Sequence, residues 1–266
     1  MADWLRCCLF ACLSLLALSE PATAACPNGS TIKDWVPAGE FCLAAATYDR
    51  QAGRSPILIV LLHGDTSSGG PADYLFEFAD RLSQPGVASV ALLRPGYSDK
   101  SGRTSQGTNY GRADSYTPAN IAAVGNAIEA FKKHFQAQRT IVVGHSGGAA
   151  IAGVLIGNTL ALAQAAILVS CPCDIPRWRK ERNGSAWTRS ESPSSYVGKV
   201  PTSTTVVAIT GTKDDNTSPS LAADYVAQLA KRGVPAQFET VNGAGHTFNR
   251  DMQAAATSAI KRFLGR

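Results

Sequence analysis

From residue 57 onward the chain alternates between short unbroken apolar runs and longer segments with apolar residues every three or four positions. The runs are ILIVLL (57–62), VASVALL (87–93), TIVVG (140–144), AAILVS (165–170) and TTVVAIT (204–210), with AQFET (236–240) as a later candidate. A short apolar run without alternation predicts a strand covered on both faces, as in a parallel sheet between helices. The intervening segments carry helix signals. Thr117-Pro118 reads as a cap followed by proline at the first helical position, and Ile121, Val124, Ile128, Phe131 and Phe135 form the stripe behind it. Ser218-Pro219 repeats the opening, with Ala222, Tyr225, Val226 and Leu229 as the stripe and Gly233 as the stop. A last helix is expected from about Asn249 to Leu264. Alternating βα units predict a doubly wound, mostly parallel α/β sheet, whose ligands sit at the carboxyl ends of the strands.

Two polar segments interrupt this pattern. Residues 94–116 (RPGYSDKSGRTSQGTNYGRADSY) and 171–200 both follow predicted strands. Loops this long in a compact domain are usually functional. They supply the candidate pocket aromatics Tyr97, Tyr110 and Trp178. No repeat or low-complexity linker divides the chain, so residues 26–266 are expected to form one domain, with residues 171–203 as a small cap.

The candidate chemistry lies between the third of these runs and the helix after it. Gly144-His145-Ser146-Gly147-Gly148 fits G-x-S-x-G in the strand-to-helix setting that gives the pattern its meaning. Such a turn strains the serine backbone and lifts Oγ clear of the sheet, near the positive end of the following helix. The alternative is an ordinary Gly-rich connection. A serine nucleophile needs a base, and the chain has four histidines. His145 should leave the turn in another direction, His134 sits beside Lys132 and Lys133 on a solvated helix face, and His63 precedes the nucleophile at a strand end. His246, in the loop NGAGHTF (242–248), is the candidate base. The loop GTKDDNT (211–217) offers two carboxylates to orient it. Asp214 is preferred, leaving Asp215 as a turn former. The oxyanion donors expected are the N–H groups of Gly147 and Asp65, the latter in HGDTSSGG (63–70), with Thr66 as an alternative.

Taken together, HGD (63–65), RPGY (94–97), GHSGG (144–148), GTKDD (211–215) and GAGH (243–246) resemble, in order and spacing, the α/β-hydrolase superfamily of serine hydrolases. The resemblance spans about residues 55–264. It implies Ser146, Asp214 and His246 as a triad with Asp65 and Gly147 as oxyanion donors, and no metal or organic cofactor. The short cap, the cysteines of the N-terminal segment and the Cys-Pro-Cys at 171–173 are not general features of that superfamily.

Composition narrows the setting. The net charge is +5 with no long Lys/Arg block, which argues against a nucleic-acid partner. Arg6, the apolar run Cys7–Leu18 and the small-x-small pattern Ala22-Thr23-Ala24 read as a signal peptide over residues 1–25, too short to span a membrane. The mature chain would be secreted or periplasmic, without stable membrane insertion. Four cysteines remain after cleavage: Cys26, Cys42, Cys171 and Cys173. Pairing Cys26 with Cys42 would staple the N-terminal segment, while closing the short Cys171–Cys173 loop is expected to strain it. A metal site is disfavoured, since a Cys-x-Cys with no nearby histidine falls short of a ligand set.

These features point to a serine hydrolase acting on a small-molecule or polymeric carboxylic ester. A serine peptidase on the same scaffold is the close alternative. A non-catalytic binding module would be expected to have lost one of the three side chains, and none is missing. The basic, aromatic stretch IPRWRKERNGSAWTR (175–189) reads either as a solvated cap with its tryptophans packed inward or as a grip on an acidic or polymeric substrate. N-terminal sequencing of exported protein is expected to begin at Ala25 or Cys26; a chain that begins at Met1 would refute the signal peptide.

Overall fold

The computed structural model describes residues 25–159 and 161–265; all of the expected signal peptide except Ala25 lies outside them, as do Cys7, Cys8 and Cys12. Among the described residues eight strands form one sheet: β1 (Trp35–Ala38), β2 (Phe41–Tyr48), β3 (Ile57–Leu62), β4 (Val87–Leu92), β5 (Arg139–His145), β6 (Ala165–Val169), β7 (Thr205–Gly211) and β8 (Ala236–Val241). Their spatial order is β1-β2-β4-β3-β5-β6-β7-β8. From β4 to β8 every neighbouring pair is parallel, while β1/β2 and β2/β4 are antiparallel. The doubly wound, mostly parallel sheet expected from the sequence is the one observed.

The unbroken apolar runs have a simple cause. In each central strand alternate residues feed opposite cores. Leu58, Val60, Leu62, Val142 and Leu168 join one core with α2 (Pro118–Phe135), α3 (Gly147–Asn158) and α5 (Pro219–Lys231). Ile59, Leu61, Ile141, Val143 and Ile167 join the other with α1 (Phe76–Leu82) and α6 (Arg250–Leu264). Capping follows the sequence at α2 but not at α5, where Ser218 makes no side-chain cap bond and its hydroxyl donates to Glu181 instead. Thr117 accepts the Asn120 N–H at the start of α2, and Asn249 accepts the Met252 N–H at the start of α6.

The N-terminal hairpin was absent from the sequence-level pattern. β1 and β2 turn through Gly39, whose φ of 72° favours glycine, and β2 extends the sheet beyond β4. The alanine-rich FCLAAATY of β2 has weak strand propensity. Cys26 bonds to Cys42 in β2, as expected. Cys171 and Cys173 are also bonded to each other; their Cα atoms lie 5.1 Å apart, within disulfide reach even across one proline.

Helix α3 is buried on every side from Gly147 to Gly157, so it needs cover on the face away from the sheet. The 171–200 segment supplies it. This segment forms α4 (Ile175–Glu181) and a 3₁₀ helix (Pro193–Lys199). A Cβ on Gly153 would lie 3.0 Å from Pro193, and one on Gly157 would lie 2.7 Å from Tyr196. The 3₁₀ helix therefore seats on α3 through two glycines.

The Cys26–Cys42 bond closes a loop of sequence separation 16, which corresponds to about 3 kcal/mol of chain-entropy stabilisation. The paired variant C26A/C42A is expected to lose about that much in urea unfolding. An unchanged midpoint would show that the hairpin holds its place without the bond.

Candidate active site

The sheet reverses its winding between β3 and β5, the crevice where doubly wound sheets bind ligands. Ser146 stands at the carboxyl end of β5, in a backbone conformation of φ 53° and ψ −120°. Its N–H donates to the Val169 carbonyl at 2.8 Å, and its carbonyl accepts from Ala149 at 2.8 Å. The flanking glycines make the turn possible. A Cβ on Gly144 would lie 2.4 Å from the Gly148 carbonyl oxygen, and a Cβ on Gly148 would lie 2.2 Å from that of Leu62 in β3.

Ser146 Oγ lies 2.9 Å from His246 Nε2. On the other side of the ring, Nδ1 lies 3.0 Å from each Asp214 carboxylate oxygen. Asp214 also accepts from the N–H of Asn216 at 3.0 Å and from the N–H and hydroxyl of Thr217 at 2.8 and 2.9 Å. Burial alone would raise the Asp214 pKa, but the His246 hydrogen bond and charge and the Thr217 N–H outweigh it and hold it below its ordinary value. Asp214 is thus both the partner of His246 and the acceptor that shapes the turn. The turn-forming role expected of Asp215 belongs to its neighbour, and Asp215 is exposed. A Cβ on Gly211 would lie 2.2 Å from the Ala244 carbonyl oxygen, so the Asp214 and His246 loops touch through backbone.

Gly147, the first residue of α3, has an N–H with no intrahelical acceptor. The N–H of Asp65 likewise donates to no protein acceptor among the described residues. The Asp65 side chain turns inward. It accepts from Arg94 Nη2 at 2.6 Å, from Tyr116 Oη at 2.5 Å and more distantly from Tyr97 Oη at 3.4 Å. Arg94 is buried to 1% exposure. A Cβ on Gly147 would lie 2.4 Å from Asp65 Oδ1, so the glycine after the serine is required by this carboxylate.

Tyr74, which the sequence does not mark, together with His145 and His63, which it sets aside as bases, completes the frame. The Gly64 N–H donates to Tyr74 Oη at 2.6 Å, and Tyr74 Oη–H in turn donates to His145 Nδ1 at 2.6 Å. His145 Nε2–H donates to the backbone carbonyl of His246 at 2.9 Å. His145 does leave the turn away from the serine, and it ties the His246 loop to the Asp65 loop. Its neutral form makes this chain. Burial, followed by the proximity of His246, pushes its pKa down to about 4. His63 accepts the Arg94 N–H at 3.0 Å through Nε2 and donates from Nδ1 to the Gly64 carbonyl; burial and Arg94 hold its pKa well below the ordinary value.

A cavity of about 660 Å³ opens over Ser146 and His246. Of the expected pocket aromatics, Trp178 lines it, and its Nε1–H donates to the Asn216 carbonyl at 2.8 Å. Tyr97 does not reach it. Its ring is buried against His63 and Arg94, beneath Asp65. Tyr110 does not reach it either, because it turns to the surface under the Arg189 guanidinium. Trp187, Phe248 and Tyr74 supply aromatic wall instead. The two long loops are joined by Asp114, whose carboxylate accepts the N–H groups of Thr188, Arg189 and Ser190.

A sequence model of the prolyl oligopeptidase family matches residues 82–266. No curated protein matches the chain in sequence. Among solved structures, Est1E from Butyrivibrio proteoclasticus with ferulic acid bound superposes with a TM-score of 0.65 at 16% identity, over 86% of this chain and 97% of that one. The acylaminoacyl peptidase of Pyrococcus horikoshii gives 0.65 at 15% identity, over 86% of this chain but 40% of that one. Esterase PE8 gives 0.58 at 21% identity, over 83% and 98%. At these identities the likeness establishes the α/β-hydrolase fold.

The depressed pKa of His145 has a stability consequence. Between pH about 6.5 and about 4 the unfolded chain binds a proton at this residue that the folded chain does not, so stability falls as pH drops through that window and is fully present above it. His63 acts in the same direction. His145→Asn is expected to make the loss between pH 7 and pH 5 shallower by about 2 kcal/mol, read from urea unfolding at the two values. Parallel losses in both proteins would show that His145 does not carry it.

Proposed function

The chain belongs to the prolyl oligopeptidase family and is a serine hydrolase; from that premise we propose that it hydrolyses a carboxylic ester through an acyl-enzyme on Ser146. The observation that carries this reading is the 2.9 Å contact from Ser146 Oγ to His246 Nε2, with Nδ1 held on Asp214. In this mechanism Ser146 Oγ attacks the acyl carbon as its proton passes to His246 Nε2. The N–H groups of Asp65 and Gly147 stabilise the oxyanion. Collapse breaks the bond to the alkoxy oxygen, which leaves with the proton from His246. Water, activated by His246, then attacks the acyl carbon and releases the acid and Ser146.

The ester reading is supported by coverage: the chain spans 97% of Est1E but 40% of the acylaminoacyl peptidase. The peptide reading is favoured by the family itself. The two disulfides support work in an oxidising compartment, secreted or periplasmic.

A fluorophosphonate probe is expected to label the wild-type chain and to leave Ser146→Ala unlabelled, and Asp214→Asn should lower kcat by on the order of 10⁴-fold. Labelling that persists in Ser146→Ala would remove Ser146 from its role. Acyl nitrophenyl esters should be turned over with a higher kcat/KM than aminoacyl arylamides, and the reverse order would favour the peptidase.

A further inference from the structure

The cavity over Ser146 carries a charge imbalance. Three arginines line it, Arg112, Arg179 and Arg182, against one acidic residue, Asp65, whose carboxylate turns inward. The Asp65 carboxylate is already matched by the buried Arg94 beneath it. None of the three arginines has a carboxylate partner among the described residues. Arg112 donates to the carbonyls of Thr66 and Gly70, Arg179 to that of Ser185, and Arg182 to that of Asp215. Hydrogen bonds to neutral carbonyls position a guanidinium without cancelling its charge.

Neighbouring arginines behave differently. Arg177, on the same helix α4 but outside the cavity, is bonded to Glu181 and Asp224. Arg189 lies within 3.5 Å of Asp114. The basic stretch at 175–189 is therefore sorted by position: its outward arginines are paired, and the two that reach the cavity are not. Trp178 packs inward, as the reading of this stretch as a solvated cap expects. Arg179 lies 5.2 Å from the Trp178 ring and 5.1 Å from that of Trp187, which holds its charge over two flat aromatic faces.

We propose that the substrate carries a carboxylate beside its scissile bond, seated on Arg179 and Arg182 with Arg112 adding to the field, and a planar apolar body against Trp178 and Trp187. This rests on the hydrolase reading above and names the substrate class for the same site. Guanidinium groups suit a carboxylate because their paired N–H donors match its two oxygens.

The test compares isosteric esters in which a carboxylate replaces a methyl group. On the acyl side the pair is 4-nitrophenyl 4-carboxybenzoate and 4-nitrophenyl 4-methylbenzoate. On the alcohol side it is 4-carboxyphenyl acetate and 4-methylphenyl acetate, corrected for spontaneous hydrolysis. In one pair at least, kcat/KM is expected to favour the carboxylate by about tenfold at low ionic strength, and the preference should shrink with added salt. The double variant R179Q/R182Q should bring the ratio close to one, whereas Arg177→Gln should leave the ratio unchanged. No carboxylate preference in either pair, or a preference that survives R179Q/R182Q, overturns the proposal. A second readout does not need turnover. Calorimetric titration of Ser146→Ala with monomethyl terephthalate and with its neutral isostere methyl 4-methylbenzoate should show tighter, salt-sensitive binding of the carboxylate ligand, and equal binding overturns the proposal. Failure of fluorophosphonate labelling in the wild type would instead count against the hydrolase reading, while the titration still decides the charge preference.

Discussion

The site depends on one close backbone approach. Helix α3 enters so near β3 that a methyl group on Gly148 would overlap the Leu62 carbonyl, and the return of the turn leaves no room for one on Gly144. With both positions bare, the strand-to-helix turn can be tight enough to hold Ser146 at φ 53°, a conformation that costs energy in any L-residue and persists only where the surroundings over-determine it. Here they do. The Ser146 N–H is bonded across to β6, its carbonyl starts α3, and α3 is enclosed on all sides. Strain at the serine is offset by an entire buried helix.

The second constraint is electrostatic. Asp65 leaves its N–H without a protein acceptor among the described residues and turns its carboxylate toward the interior, which places a negative charge close to Gly147, where the proposed mechanism forms an oxyanion. Left alone, that charge would oppose the chemistry. Arg94 lies against it, itself almost wholly buried, with Tyr116 donating to the other oxygen, so the Asp65 carboxylate adds little net charge of its own beneath the site. Removing one member of such a buried pair typically costs about 3–5 kcal/mol, because the other is left uncompensated. The same cluster fixes the peptide that carries the Asp65 N–H. The chain from Gly64 through Tyr74 and His145 to the His246 carbonyl braces that peptide from the opposite side. Two hydrogen-bond networks thus meet on a single loop.

The sequence was most legible where a local rule suffices. Buried strands read as apolar runs because both faces feed a core, and helix starts read from Thr117-Pro118 and Asn249 because a cap acts within one turn. Ser146, Asp214 and His246 could be singled out because each lies in a loop leaving a recognisable strand, and the structure brings those three side chains together. The residues that escaped are defined by tertiary contact. Tyr74 meets His145 across 71 positions and Tyr116 meets Asp65 across 51; nothing in their immediate neighbourhood marks them. Tyr97 and Tyr110 were misplaced for a related reason. A long loop announces that its residues lie near a site, but not which of them face it. The hairpin of β1 and β2 was invisible because alanine in β2 carries little strand signal, and its register is set by pairing with β4.

The two long loops show how such a pocket is built from segments without regular structure. Asp114 accepts three consecutive N–H groups from the 187–190 stretch, so a single carboxylate fastens the 94–116 loop to the segment that covers α3. Asp99 does the same work within the first loop, accepting the N–H groups of Ser101 and Arg103. Asp99 and Asp114 are thus engaged in holding backbone, and neither lines the cavity. Arg112, Arg179 and Arg182 are held by backbone carbonyls instead, so their charge stays uncancelled on the cavity side. Fastening the wall with carboxylates and lining it with guanidinium groups are therefore one arrangement. The interior demand for acceptors draws the negative charge inward and leaves the positive charge facing the space above Ser146.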